Sequence, residues 1–160
     1  MTDREMILLT LLDRAGQVWG KTRIQKLLFL TEAEVVQFPP GPFQYYLYKH
    51  GPFSLDVAVT LDRLRDQEWI AESLQRTASG NPVYLYSITD PGREALTAGK
   101  APSLKAWEAA LEKITSQYAR LDLPHLVEEA YAQARKRPEL LAASPPTFFG
   151  GPVGDRTEPR

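Results

Sequence analysis

Apolar residues near the start of the chain fall at Ile7, Leu8, Leu11, Leu12 and Ala15, the spacing of a helix with one buried face. Thr2 or Asp3 caps it, with Glu5 or Met6 close behind, and Gly16 suits the left-handed position that closes a helix. A second helix is predicted from about Lys21 to Val36, with Ile24, Leu27, Leu28, Thr31 and Val35 as its apolar stripe. Phe38-Pro39-Pro40-Gly41-Pro42 forbids helix and reads as a loop. The aromatic run Phe43 to Tyr48 reads as a short strand that Gly51-Pro52 breaks. Ser54 caps a third helix, with Leu55, Ala58, Leu61 and Leu64 inward, which ends near Glu68. Trp69 to Arg76 and Val83 to Ile88 are β-type runs around the turn Ser79-Gly80-Asn81-Pro82, so they read as a hairpin. Thr89 or Asp90 then caps a fourth helix that has Pro91 at its first position and closes at Gly99.

Helix, helix, short strand, helix, hairpin, helix is the order of a winged helix. The expected class is α+β, mainly helical: a three-helix core plus a β-hairpin wing, the hairpin pairing with the strand at Phe43 to Tyr48. This domain is expected over 1–100, with a helical extension over 101–141. In the extension Leu104, Trp107, Leu111, Ile114, Tyr118 and Leu121 are spaced alternately by three and four residues, a seam that must lie against something. Two routes bury it: back onto the first helix, or onto the same helix of a second chain. The second is favoured slightly, so these six residues are the candidate interface of a homodimer. Pro124 opens a further helix with Leu126, Val127, Ala130, Tyr131 and Ala134. Residues 142–160 are Pro/Gly-rich, expected to be flexible, with Phe148-Phe149 as the one apolar hook.

Two stretches carry a family resemblance: Lys21-Thr22-Arg23-Ile24-Gln25-Lys26-Leu27-Leu28-Phe29-Leu30, and Tyr48-Lys49-His50-Gly51-Pro52-Phe53-Ser54. They resemble YwgA-like winged-helix proteins of bacteria and archaea and, more distantly, the Panacea/SocA-like antitoxin and adaptor domains. Tyr86 to Leu96 resembles the wing exit of many winged-helix regulators, and Leu126 to Leu140 a C-terminal helix of the same family. Arg137-Pro138-Glu139 stands where the family pattern has Tyr-Pro-Glu. The resemblance spans roughly residues 20 to 140 and implies the winged-helix fold; it implies little about function.

Composition narrows the chemistry. The chain has 160 residues and no Cys, which excludes disulfides, a thiol nucleophile and thiolate metal sites. Its two histidines, His50 and His125, lie far apart, and no metal or other cofactor is expected. No apolar run is long enough for a membrane span, and Met1 to Leu12 does not read as a signal peptide, so a cytoplasmic, non-membrane protein is expected. Net charge is -1, giving no global basic field. Locally, five basic residues face two acidic ones between 14 and 49, and two face four between 54 and 68.

A winged helix would read duplex DNA with its third helix and wing. The candidate contacts are Lys21, Arg23 and Lys26 on the second helix, Ser54, Thr60 and Arg63 on the third, and Arg76 and Asn81 on the wing. Asp56 and Asp66 on the third helix oppose that use, because carboxylates near phosphates cost affinity. Ala15 to Thr22 also matches a relaxed phosphate-binding loop, with Ile7 to Leu12 as a conceivable strand before it. The chain lacks the further βαβ units such a loop needs, so nucleotide binding ranks last. No catalytic constellation stands out, and no enzyme is expected. The first expectation is a DNA-binding transcriptional regulator; the alternative is an antitoxin- or adaptor-like module that binds protein and ignores DNA.

Overall fold

The computed structural model describes residues 1–142, Thr147–Phe148 and Gly151–Pro152. The fold is α+β and mostly helical: α1 (Asp3–Ala15), β1 (Gln17–Trp19), α2 (Lys21–Val35), β2 (Tyr46–Tyr48), β3 (Gly51–Phe53), α3 (Leu55–Asp66), β4 (Ile70–Arg76), β5 (Pro82–Ile88), α4 (Asp90–Gly99), α5 (Lys105–Tyr118), α6 (Leu123–Lys136), β6 (Thr147–Phe148) and β7 (Gly151–Pro152). Apart from Ala142 and the short β6–β7 pair, the tail expected over 142–160 lies outside the described residues.

α1 opens with a reciprocal cap. The Thr2 hydroxyl accepts from the Glu5 backbone N–H at 3.1 Å, and the Glu5 carboxylate accepts from the Thr2 N–H at 3.4 Å. The expected one-sided stripe understates this helix, because every residue from Glu5 to Leu12 is buried. It packs against α3, α4 and α5 and against the sheet, so water reaches no side of its middle turns. α2 is likewise buried without a break from Ile24 to Glu32. Buried hydroxyls on these helices return to the preceding turn, Thr10 to the Met6 carbonyl at 2.7 Å and Thr31 to Leu27 at 2.8 Å.

The sheet differs from the expected one. Its strand order is β1-β5-β4, antiparallel throughout, with Val18 opposite Tyr86 and Glu72 opposite Tyr86 on the other side. The strand that closes the hairpin is therefore Gln17–Trp19, and not the aromatic run at Phe43 to Tyr48. That run supplies β2, which pairs only with β3 in a separate small hairpin between α2 and α3. Three residues between two glycines are too few for a periodic pattern to register, whereas the aromatic run is conspicuous and belongs elsewhere. Phe43 and Tyr45 are buried in the core, and Tyr45 meets Phe29 edge-on at 5.0 Å between ring centres.

The seam on α5 takes the intramolecular route. Leu104, Trp107, Leu111 and Ile114 are buried within the chain against α1 and α2, and Tyr118 and Leu121 pack partly buried on the same core. The expected homodimer interface is thus corrected in its main part: Leu104, Trp107, Leu111 and Ile114 are core of one chain, and only Tyr118 and Leu121 keep part of their surface. α6 covers α2 next to them, and one apolar cluster runs from Met6 to Leu140. Residues 101–141 have no separate core, so the expected boundary near residue 100 does not divide two packed units.

Candidate functional site

The motif shared by α2 and the β3–α3 junction does its work inside the molecule. The Gln25 amide donates to the Ser54 carbonyl and accepts from the Ser54 N–H, both at 2.9 Å. Lys26 is 1% exposed and its Nζ donates to the Pro52 carbonyl at 2.9 Å. Ser54 is fully buried and caps α3 by accepting from the Val57 N–H at 3.3 Å. These bonds fasten the backbone where the chain turns from β3 into α3, adding to the Ala58 N–H bond that the Ser54 carbonyl also accepts at 3.3 Å.

Three of the eight candidate DNA contacts are therefore corrected. Lys26 and Ser54 are committed as just described. Thr60 is buried with its hydroxyl on the Asp56 carbonyl at 2.7 Å. Arg23 is half-buried; its Nη1 donates to the Leu121 carbonyl and, at 3.3 Å, to that of Ala119, so it holds the end of α5 onto α2. Desolvation holds its pKa below the ordinary arginine value, offset in part by Asp122. Lys21 is half-exposed in the first turn of α2. Arg63, Arg76 and Asn81 are exposed. Arg76 donates to the Gly80 carbonyl at 3.0 Å and Asn81 to the Ser79 hydroxyl at 3.3 Å, bonds internal to the β4–β5 turn.

The outward side of α3 is acidic. Asp62 and Asp66 stand on its second half and Glu68 just past its end, with Val59 and Arg63 exposed beside them. Arg65 is held by Asp62 and Asp66, both at 3.4 Å, and by Glu72 on β4 at 3.7 Å. Glu72 also accepts from the Tyr86 hydroxyl at 2.7 Å, and burial together with this bond pushes that phenol's pKa upward.

Ala15 to Thr22, the phosphate-loop match, has no strand before it. Ile7 to Leu12 lies within α1, and Gln17–Trp19 is an edge strand of an antiparallel sheet. Instead this segment borders a groove of about 550 Å³, lined by Gln17, Trp19, Arg23, Ala119 and Arg120 among others. Trp19 is 45% exposed beside it. Sequence reasoning missed this groove. The exposed–buried–exposed alternation of Gln17, Val18 and Trp19 exists only in the folded strand, and three residues between Gly16 and Gly20 carry no sequence signal for it.

A second polar centre lies under the Pro-rich loop. Glu32 is 1% exposed, and its Oε1 accepts from the Phe43 N–H at 3.2 Å. A side chain at Gly41 would collide with that carboxyl, since an added Cβ would fall 2.4 Å from Oε1. Burial is the main reason its pKa is raised to about 8, with Asp56 adding to the rise and the Phe43 bond and Arg4 opposing it. The Tyr45 hydroxyl nearby is buried and has no hydrogen-bond partner among the described residues. Among the described residues, no group of three or more His, Asp or Glu side chains is arranged to hold a metal ion, and no helix is long and apolar enough to cross a membrane. No protein-family model matches the chain, and no curated protein matches it.

Proposed function

We propose that this chain is a winged-helix protein whose work is binding rather than catalysis, and that it binds another protein rather than duplex DNA. The winged-helix reading is supported by the order α1-β1-α2-α3-β4-β5 with a sheet ordered β1-β5-β4. The β2–β3 hairpin is an insertion between the second and third helices. Such folds serve many partners, so the surface has to decide.

The carrying observation is the outer side of α3. The helix that would enter a groove carries Asp56, Asp62 and Asp66 against Arg63 and Arg65, with Glu68 just past its end, and Arg65 is paired with Asp62, Asp66 and Glu72. Duplex DNA offers a phosphate charge about every 1.7 Å of its axis, and a helix of this sign is repelled before any base is reached. Of the expected phosphate contacts on α2, Arg23 and Lys26 are spent on the fold, and Lys21 stays partly exposed. A protein partner meets no such barrier.

The test is a fluorescence-anisotropy titration of the full chain with a short labelled random duplex at low salt. Binding weaker than about 10⁻⁴ M is expected. Micromolar binding whose salt slope falls by about one unit on Arg63→Ala or Arg76→Ala would return the DNA-regulator reading.

A further inference from the structure

β1 is an edge strand: among the described strands it pairs with β5 alone. The Gly20 N–H donates to the Tyr84 carbonyl at 2.8 Å, and Val18 lies opposite Tyr86 in the same register. Hydrogen-bonded and non-bonded pairs alternate along an antiparallel ladder. Val18 therefore bonds inward to β5, while the N–H and C=O groups of Gln17 and Trp19 turn away from it. Both residues are exposed, and both line the groove of about 550 Å³.

The charge of that groove has one sign. Arg23 and Arg120 are the charged side chains lining it. Arg120 is exposed and makes no ion pair among the described residues. Asp122, the carboxylate that acts on Arg23, is itself paired with His125 at 2.6 Å. Trp19 adds a broad apolar surface at the strand's end. The opposite edge of the sheet, along β4, is built differently: Glu72 and its ion pair with Arg65 border it.

We propose that the groove beside β1 docks an extended acidic segment of another protein by strand addition. The segment's backbone pairs with Gln17 and Trp19, a carboxylate meets Arg120, and an apolar side chain rests on Trp19. A free edge supplies main-chain bonds, and the flanking side chains supply selectivity. With only two residues of β1 offering bonds, the ion pair and the indole contact carry much of the discrimination. This inference rests on the protein-binding reading above and names its surface.

The experiment selects binders to the full chain from a displayed library of random dodecapeptides and uses the recovered peptides as probes. Acidic peptides are expected, with binding weakened at least about tenfold by Arg120→Glu and unchanged by Leu74→Glu on the opposite edge. Amide hydrogen exchange gives the geometric readout. In the free chain Val18 is protected while Gln17 and Trp19 exchange quickly; with a peptide bound, Gln17 and Trp19 become protected. Failure to enrich any peptide overturns the proposal, as do binders that leave Gln17 and Trp19 unprotected or are indifferent to Arg120→Glu. Binders that respond to Leu74→Glu instead would move the contact to the wing and leave the protein-binding reading standing. Duplex DNA that displaces the peptides would count against that reading itself.

Discussion

Glu32 shows how far a single residue's behaviour depends on what is packed around it. In sequence it is one of two carboxylates on a basic stretch, apparently available to offset Lys21 or Arg23. In the fold it lies beneath Pro39 to Phe43, desolvated, with a pKa of about 8 against an ordinary value of 4.5. The folded chain thus keeps a proton that the unfolded chain releases near pH 4.5. Between those two values the native state binds more protons, so stability should fall as pH rises from about 4.5 to about 8 and level off above, by up to about 1.4 kcal/mol per pH unit. Glu32→Gln, which keeps the shape without the charge, should flatten this slope. Urea denaturation of both proteins across that range checks it, and an unchanged slope in the variant would assign the effect to other groups. Lys26 and Gln25 teach the same lesson from the opposite sign. Their residue types suggested a surface that meets phosphates, and their bonds to Pro52 and Ser54 are what let an irregular turn be buried.

At the level of elements, the helices were legible because each carries its own start, stop and period. The caps at Thr2, Ser54 and Thr89 and the proline at the start of α4 stand where the residues place them. The period of α5 also spoke truly that the seam is buried, but periodicity carries no information about which surface covers it. The cover is α1 and α2 of the same chain. Truncating a core Leu or Ile to Ala costs about 2–5 kcal/mol. Leu111→Ala and Ile114→Ala should each lower unfolding stability by such an amount while the molecular mass in sedimentation stays that of the wild type. Variants that kept full stability but changed mass would show the seam acting between chains. β1 went unread for the complementary reason. Three residues become a strand because β5 lies beside them, and nothing in Gln17, Val18 and Trp19 alone requires it.

For the molecule as a whole, the deciding feature is that α5 and α6 complete the core that α1 and α2 begin. A fragment ending at residue 100 would leave the α5-facing sides of Leu-rich helices in water, at about 25 cal/mol for each Å² of apolar surface. It should therefore fail to give a cooperative thermal transition or a dispersed amide spectrum, whereas a fragment ending after Leu141 should retain both. A cooperative 1–100 fragment would restore the boundary that the sequence suggested. Residues 1–141 also return on themselves: the Ala142 N–H donates to the Tyr45 carbonyl at 2.7 Å, tying the end of the helical part to the buried aromatic strand entry.

By itself, then, the sequence determined which segments are helical, where the hairpin turns, that the class is α+β and mainly helical, and that cysteine chemistry is absent. These follow from local propensity, capping and composition, which act over a few residues. Only the tertiary structure decided which strand closes the sheet, which polar residues are interior, and whether the α5 seam faces its own chain. It also decided that the edge strand β1 lies beside Arg23 and Arg120. Those properties depend on residues up to about a hundred positions apart meeting in space, as when Arg23 holds Leu121 and Arg137 holds Ala33. Burial, desolvation and the hydrogen bonds of a strand edge exist only once such partners have met.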